Sequence, residues 1–406
     1  MTYIQFIKKN IRFLSFGFLL MFFSSFGQTF FISLFNNEIR EVFKLTHGQY
    51  GLIYSIATFI SASVIIWLGK FIDNIDLRNF VLIISFGLVF GIAILCSSNS
   101  VIFLCIAIFL LRLFGQGLMP HAAMTSMTRY YSYDRGKAIS ISSLGLPLGE
   151  IALPTISIFL ISAFGWKFTW VSALILISIS IMPIRYILLK NHEIRHHKWE
   201  KENNFLQQEE KAKAIKSFTR TEVLLDKKFY LIIFSILSPA YIMTGLFFHQ
   251  IHLFETKGWT LNLLAGAFAL YAIITVSSSI IIGKLIDLYG SKKLVIIHLI
   301  PLGLGLLILS QFTNSLAAIL YLSLAGITVG MANSLLSSLW AEIYGTIHIG
   351  SIKSLVTACM VFVSALSPFM FGWGIDFGIN IENIILICAI YTVISSLNLF
   401  LLFRKT

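Results

Sequence analysis

Long runs of apolar residues, separated by short polar turns, extend from one end of the sequence to the other. An α-helix needs about 20 apolar residues to cross the hydrocarbon layer of a bilayer, and these runs have that length. Their nearly continuous hydrophobicity is typical of helices in lipid. The pattern predicts an all-α membrane protein with twelve transmembrane helices. The predicted helices cover residues 11–35, 49–69, 79–97, 101–125, 138–162, 167–189, 229–252, 262–283, 293–311, 316–339, 354–374 and 383–403.

One segment interrupts this pattern. Residues 190–228 are rich in Lys, Glu, His and Gln, and they divide the predicted helices into two sets of six. We therefore predict a six-helix bundle at 1–189, a linker at 190–228 and a second six-helix bundle at 229–406. Within the linker, Thr219 and Glu222 have the spacing of a capping box, which predicts a short helix at the membrane interface.

The overall composition excludes several classes of protein. Hydrophobic residues make up 57% of the chain and charged residues 12%, with a mean hydropathy of +0.87, which a soluble globular protein does not have. The four cysteines lie in or beside apolar runs without metal or redox spacing, so we interpret them as packing residues. The sequence contains no phosphate-binding loop, catalytic triad or metal-ligand cluster. We therefore expect neither an enzyme nor a bound metal or cofactor.

The distribution of Lys and Arg predicts the orientation. With the N-terminus in the cytoplasm, four of the 30 Lys and Arg residues fall outside, and Arg112 lies within a helix. This asymmetry predicts cytoplasmic termini and a cytoplasmic linker. The net charge of +12 lies beside helix ends, where anionic lipid explains it, so nucleic acid is not an expected partner. The four outer residues are Arg40, Lys44, Lys167 and Lys257.

An internal repeat relates the two predicted bundles. The sequence of Gly69–Asp73, at the end of the second helix, recurs with one change at Gly283–Asp287, at the end of the eighth and 214 residues later. Two halves in the same orientation form a parallel repeat, which in transporters places substrate near the midplane between the halves. The same offset pairs Gly91 with Gly305, Tyr130 with Tyr344, Gly136 with Gly350 and Pro154 with Pro368.

These motifs resemble those of the major facilitator superfamily. Gly69–Asp73 and its repeat resemble the superfamily's loop signature, residues 112–117 its fourth-helix motif, and residues 135–138 the basic loop after it. The first signature departs from the pattern because Asp76 stands where a glycine is usual. The resemblance covers the whole chain and implies the major facilitator fold and transport by alternating access. The subgroup resembles bacterial organic-anion carriers, which implies a monomer in the bacterial inner membrane.

The loop signature has a physical interpretation as a gate. Gly69 and Gly283 lack side chains, so each lets a neighbouring helix approach. Asp73 and Asp287 are then able to accept hydrogen bonds from a helix N-terminus in the opposite half, or from a loop base such as Arg135. Such contacts would form only while the cytoplasmic side is closed. The alternative is that both aspartates are solvated loop residues.

Arg112 lies roughly 16 Å along its helix, near the middle of the bilayer, where a charge is costly unless it is paired or faces water. On a regular helix, Gln116 and Met119 share its face. Arg112 and Gln116 are therefore candidate substrate-binding residues, with the guanidinium holding a carboxylate. The alternative is a structural arginine that pairs with Glu150 or with backbone carbonyls.

Glu150 lies roughly 18 Å into the fifth helix and is a candidate proton-coupling residue. Desolvation would raise its pKa and a nearby Arg112 would lower it. A permanent ion pair between the two residues is the alternative. Gln28 and Asn333 lie near mid-depth in the first and tenth helices and are further candidates for binding substrate, although amides there more often bond to other helices.

Three functions remain open from the sequence. The first is a secondary carrier, coupled to protons, for a small organic anion such as a monocarboxylate. The second is an efflux antiporter for amphipathic compounds, because residues 144–154 loosely resemble the fifth-helix motif of drug antiporters. The third is a receptor without transport activity. The expected partners are a small-molecule substrate, protons and the lipid bilayer.

Overall fold

The computed structural model describes residues 3–73, 75–131, 134–197, 199, 218–345 and 349–404, without the side chains of Tyr3, Asp73, Arg135, Ser334, Ser337 and Ser351. All the regular secondary structure of these regions is helical. Eleven helices in them are long and apolar enough to cross a membrane, and a twelfth apolar helix is shorter. We number them α1 (Ile4–Gly27), α2 (His47–Ile72), α3 (Leu77–Ser97), α4 (Val101–Tyr130), α5 (Gly136–Phe164), α6 (Trp166–Leu188), α7 (Lys227–Phe248), α8 (Leu261–Tyr289), α9 (Ile300–Gln311), α10 (Ser315–Tyr344), α11 (Ile352–Asp376) and α12 (Ile381–Phe403).

Local capping explains where several helices begin and end. The Thr260 side chain accepts a hydrogen bond from the backbone N–H of Leu263 at the start of α8, and Asn314 does the same for Ala317 at the start of α10. Gly290 ends α8 with a φ of 78°, which a residue with a side chain rarely adopts. These signals explain why α8 stops directly after the repeated motif at its end.

The ninth predicted helix is not continuous. Residues 293–311 were predicted as one span, but a short helix, Ser291–Leu294, is followed by turns before α9 begins. Pro301 is the physical reason. Proline has no backbone N–H, and inside a helix its ring would clash with the carbonyl of the residue four positions earlier. It is therefore found in the first turn of a helix, as here. The apolar pattern of the sequence predicts a membrane-spanning segment here, but it does not reveal this break in the helix.

The chain divides into two compact units. The first contains Met1–Phe43 and Ile56–Ala214, and the second contains Lys44–Ser55 and Ile215–Thr406. The first unit has a core in which Trp170 packs on Phe31 and Phe35, with ring centroids 5.1 and 4.9 Å apart. In the second unit, Trp340 packs on Phe229 and Tyr344 at 5.7 and 5.9 Å. Buried aromatic rings therefore fill both cores.

The first turns of α2 pack in the second unit. The backbone N–H groups of His47 and Gly48 both donate to the Asp376 carboxylate, at 3.1 and 2.8 Å. A Cβ added to Gly51 would lie 2.4 Å from the carbonyl oxygen of Pro368. Because backbone meets backbone here, glycine is required for this close packing.

The described end of the linker contains the short helix that the capping box predicts. Thr219 and Glu222 form both hydrogen bonds of the box at the start of Arg220–Leu225, which confirms that prediction. Val223 is buried in the core of the second unit, and Leu225 is 79% exposed. The helix is therefore attached to the second unit by one face. Residues 198 and 200–217 of the predicted linker lie outside the described residues.

Candidate functional site

Arg112 lies in a wide turn of α4. Residues Leu111–Leu118 form a π-helix, and Arg112 is 3% exposed. π-helical turns inside α-helices are rare and are frequently found at functional sites. The prediction that Arg112, Gln116 and Met119 share one face assumed a regular α-helix, and Leu111–Leu118 is π-helical instead.

The first helix is interrupted opposite this turn. The α-helix Tyr3–Ser24 continues as a 3₁₀ turn to Gly27, Gln28 is extended, and a new short helix begins at Thr29. The predicted continuous span 11–35 is therefore corrected. Phe31 donates its N–H to the carbonyl of Gln28, whereas in a continuous α-helix it would donate to Gly27.

The guanidinium of Arg112 donates a hydrogen bond to the backbone carbonyl of Gly27, which has no helical partner because of this break. Its Nη1 donates to the Gly27 oxygen at 3.0 Å and to the Thr29 hydroxyl at 3.4 Å. Its Nε donates to the Thr58 hydroxyl of α2 at 3.2 Å. Charge-assisted bonds of this kind are stronger than neutral ones, so Arg112 joins α1, α2 and α4 in the first unit.

Two glycines allow this contact. A Cβ added to Gly27 would lie 2.2 Å from the carbonyl oxygen of Leu111, and one added to Gly115 would lie 2.8 Å from the Cα of Gly27. The backbones of α1 and α4 are therefore in direct contact. Gly115 belongs to the fourth-helix motif, and its role here is to admit the broken helix α1.

Gln28 and Gln116 lie near this contact. Gln28 is the extended residue of the break and Gln116 belongs to the π-helix, and both are partly buried. In the described part of the chain neither side chain makes a hydrogen bond. Substrate binding by either residue remains a prediction.

Glu150 is partly exposed on α5, directly after two close contacts with α1. A Cβ added to Gly145 would lie 2.0 Å from the Phe18 carbonyl oxygen, and one added to Gly149 would lie 2.1 Å from the Ser25 Oγ. Within the described residues Glu150 has no hydrogen bond or ion pair. The structure therefore lacks the permanent pair with Arg112 that was one alternative.

Asn333 lies on α10 in the second unit. Its Nδ2 donates to the Ser279 hydroxyl at 3.3 Å, and Ser279 donates to the Gly330 carbonyl at 2.8 Å. A Cβ on Gly330 would lie 2.4 Å from the Thr275 carbonyl oxygen of α8. Asn333 thus has an interhelical bond, the commoner use of such an amide, and its side chain is exposed. Sequence reasoning missed Ser279.

The first loop signature is a 3₁₀ turn held by α4. Gly69–Asp73 adopt this turn, His121 bonds through Nε2 to the Gly69 carbonyl at 3.0 Å, and Arg129 donates to the Ile72 carbonyl at 3.2 Å. The neighbour that Gly69 admits is therefore the His121 side chain. The predicted gating side chains Asp73 and Arg135 lie outside the described residues.

The second signature differs from the prediction. A Cβ added to Gly283 would meet nothing within 4 Å, so the predicted close approach of a helix is absent at this position. Asp287 is exposed and makes no hydrogen bond within the described residues. Glu342 of α10 holds the following turn instead, because it accepts hydrogen bonds from the backbone and hydroxyl of Ser291 and pairs with Lys292. Glu342 belongs to none of the sequence motifs, so the sequence analysis did not identify it.

Asp76 explains the departure of the first signature from the family pattern. It caps α3 by accepting the N–H of Arg78 at 2.8 Å, and it pairs with the Arg78 side chain at 3.0 Å. Burial alone would raise the pKa of Asp76, but the bonds from Arg78 outweigh burial and hold that pKa below its usual value. A glycine at this position would lose the cap.

The residues after α6 dock on the same end of the first unit. Tyr130 hydrogen-bonds through its hydroxyl to His196 at 3.0 Å and to His192 at 3.4 Å. His192 is 2% exposed, and burial lowers its pKa from 6.5 to about 4. Arg195 lies over the Phe13 ring at 3.9 Å, a cation–π distance. These contacts attach the start of the predicted linker to α1 and α4.

Comparison with known proteins gives one result. The family model of the Major Facilitator Superfamily matches residues 17–368 and residues 240–406, so it covers most of the chain. No curated protein matches the sequence. In the described residues, no group of three or more His, Cys, Asp and Glu side chains is arranged to hold a metal ion.

Proposed function

The chain belongs to the Major Facilitator Superfamily of membrane transporters, and we propose from this premise that it is a secondary carrier for a small organic anion, coupled to protons. It is a multi-pass membrane protein. We further propose two six-helix bundles, cytoplasmic termini, a bacterial inner-membrane location and action as a monomer by alternating access.

One observation supports this proposal above the others. Arg112 and Glu150 lie within membrane-spanning helices of one unit and do not pair with each other. A carboxylate without a charged partner in such a place favours a group that gains and loses a proton. A guanidinium beside an interrupted helix favours recognition of an anion.

Transport in proteoliposomes tests the proposal. Purified protein is reconstituted, a pH gradient with the acidic side outside is imposed, and uptake of radiolabelled lactate and pyruvate is measured with and without a protonophore. We expect inward accumulation that the protonophore abolishes. Accumulation that survives the protonophore would contradict proton coupling. Expulsion of an amphipathic dye with no carboxylate uptake would favour the efflux antiporter, and no flux of either would favour the receptor.

A further inference from the structure

Arg195, in the segment that follows α6, has a buried guanidinium nitrogen without an acceptor. Its Nη1 has no hydrogen-bond partner, and no carboxylate pairs with the side chain in the part of the chain that the structure describes. The ring of Phe13 on α1 lies 3.9 Å from the guanidinium and covers one face of its plane. A ring face is no acceptor for the in-plane N–H groups. A buried charged donor without an acceptor is costly, so its surroundings indicate what it binds.

The charged neighbour of Arg195 is a second arginine. Burial lowers the pKa of the Arg195 guanidinium, and the positive charge of Arg12 lowers it further. Arg12 itself donates from Nη2 to the Lys190 carbonyl oxygen at 2.6 Å, and within the described residues its other N–H groups have no acceptor. Two guanidiniums therefore lie near each other with N–H groups to spare. An anion bound to both would replace their repulsion by attraction.

The Tyr131 hydroxyl adds a neutral donor to this pair. The Tyr131 ring lies 5.4 Å from the Phe6 ring and 6.0 Å from the Phe13 ring, so it shares the aromatic surface on which Arg195 lies. Burial raises the pKa of Tyr131 to about 12 although the nearby Arg195 opposes this shift, so the hydroxyl keeps its proton at neutral pH. No acceptor bonds to that hydroxyl among the described residues.

Exposed apolar side chains adjoin both arginines. Ile11 precedes Arg12 on α1 and is 55% exposed, and Ile194 precedes Arg195 and is 70% exposed. Ile194 lies beyond the end of α6, outside the membrane-spanning part of that helix. Apolar side chains next to cationic ones are typical of segments at the boundary between acyl chains and lipid headgroups. The surroundings therefore favour an anion that belongs to a lipid.

We propose that Arg195, Arg12 and Tyr131 form a binding site for a phosphate group, and that this group is the headgroup phosphate of an anionic phospholipid. The planar fork of a guanidinium matches two phosphate oxygens, and such charge-assisted bonds are strong. The phosphate supplies the acceptor that Arg195 Nη1 does not find in the described chain. Bound lipid also fastens the segment after α6 to α1 and α4.

Lipid binding by the purified full chain in detergent tests the proposal. A short-chain phosphatidylglycerol with a fluorescent group at the end of one acyl chain is titrated with protein, and its anisotropy gives a dissociation constant. Unlabelled phosphatidylglycerol, phosphatidylcholine and inorganic phosphate are the competitors. The melting temperature of each variant is measured in parallel without added lipid.

Three variants change the site, and two serve as matched controls. Arg195→Gln removes the fork and its charge, whereas Arg195→Lys keeps the charge and removes the fork. Tyr131→Phe removes the hydroxyl and keeps the ring that packs on Phe6. Arg220→Gln and Tyr289→Phe are the controls, because they make the same changes at exposed residues of the second unit.

We expect Arg195→Gln to raise the dissociation constant about tenfold, in line with loss of one charge-assisted bond. Arg195→Lys should raise it about threefold, because a lysine offers no planar fork. Tyr131→Phe should raise it several-fold, and both control variants should keep the parental value. Unlabelled phosphatidylglycerol should displace the probe at lower concentration than phosphatidylcholine or inorganic phosphate does.

Several results would overturn the proposal. Equal weakening by Arg195→Gln and Arg220→Gln would show that overall positive charge attracts the lipid. A purely structural role would lower the melting temperature of Arg195→Gln and leave its dissociation constant at the parental value. Displacement by inorganic phosphate as readily as by phosphatidylglycerol would exclude a lipid and identify a site for soluble phosphate. If Arg195→Gln does not fold, a parental dissociation constant in Tyr131→Phe and in Arg195→Lys would exclude the site.

Discussion

At the scale of single residues, the two charges inside the first unit have different surroundings. Arg112 is bonded to a backbone carbonyl and two hydroxyls, whereas Glu150 has no hydrogen bond or ion pair in the described residues. A buried ion pair would make each charge depend on the other for folding. Their separation allows the two residues to be changed one at a time.

Glu150→Gln removes the titratable group of α5 at nearly constant shape. If Glu150 binds the coupled proton, the variant should not accumulate lactate against a gradient, yet it should still exchange labelled for unlabelled lactate. Exchange returns the carrier loaded and needs no net proton movement. Both activities are measured in the same proteoliposomes. Glu41→Gln, an exposed site, is the control and should keep both. Gradient-driven accumulation by Glu150→Gln would exclude Glu150 as the proton site.

His192 predicts a pH dependence of stability. Its pKa is about 4 in the folded protein and 6.5 ordinarily, so the unfolded chain binds more protons between these values. The free energy of unfolding should therefore have its full value above about pH 6.5 and should decrease as the pH falls toward 4. At pH 5.5 the loss should be about 1 kcal/mol. The groups around it are Asp76, which raises the pKa, and Arg195, His196 and Arg78, which lower it.

Melting temperatures in detergent at pH 7.5 and 5.5 check this expectation. His192→Gln cannot titrate and keeps a hydrogen-bonding group near Tyr130, so the difference between the two temperatures should shrink. His197→Gln, an exposed neighbour, should keep the parental difference. An equal shift in the parent protein and in His192→Gln would show that other groups determine the acid sensitivity.

At the scale of elements, the main discovery of the structure is the pairing of two irregular helices. Apolar periodicity predicts that α1 and α4 are helical, because hydropathy is a local property. It does not reveal that α1 breaks at Gln28 or that Leu111–Leu118 is a π-helix. Ser24, Ser25 and Gly27 are residues at which helices bend, but the partner that stabilises the break is Arg112, 85 residues away.

Gly27→Ala should separate this pair of helices. Its Cβ would lie 2.2 Å from the Leu111 oxygen and 2.4 Å from the Gln116 nitrogen, and backbone atoms cannot rotate away as side chains do. We expect a loss of about 1 to 3 kcal/mol of stability, the usual range for overpacking, visible as a lower melting temperature. Gly266→Ala is the control, since nothing lies within 4 Å of its added Cβ and alanine favours helix. Equal melting of the two variants would contradict the close contact.

At the scale of the whole molecule, the sequence predicted the class of protein and most helices. The runs of apolar residues and the loop motifs identify a membrane transporter, and the superfamily match confirms it. The candidate site was proposed in part from the sequence. Arg112 and Glu150 were singled out because charge is conspicuous in an apolar run. Thr58, His121 and Glu342 were missed, because their roles depend on contacts between helices that are far apart in the sequence.

The remaining prediction concerns the change between two states of the molecule. Asp287 is exposed and makes no hydrogen bond in the described residues, so this structure does not contain the contact that we predict for it. A bond made in one state and not the other shifts the balance between the states without changing the binding site. One charge-assisted bond contributes about 1.5 to 3 kcal/mol, which is enough to change that balance more than tenfold.

Asp287→Asn and Asp73→Asn should therefore lower the maximal rate of lactate transport several-fold, while the half-saturation constant stays within a few-fold of the parent. Asp287→Glu is the matched control, because it keeps the charge at the same position and should restore most of the rate. Both constants come from uptake at varied lactate concentration under one fixed pH gradient. Parental rates in both asparagine variants would show that these aspartates are solvated loop residues. A raised half-saturation constant at an unchanged rate would instead indicate that Asp287 contributes to substrate binding.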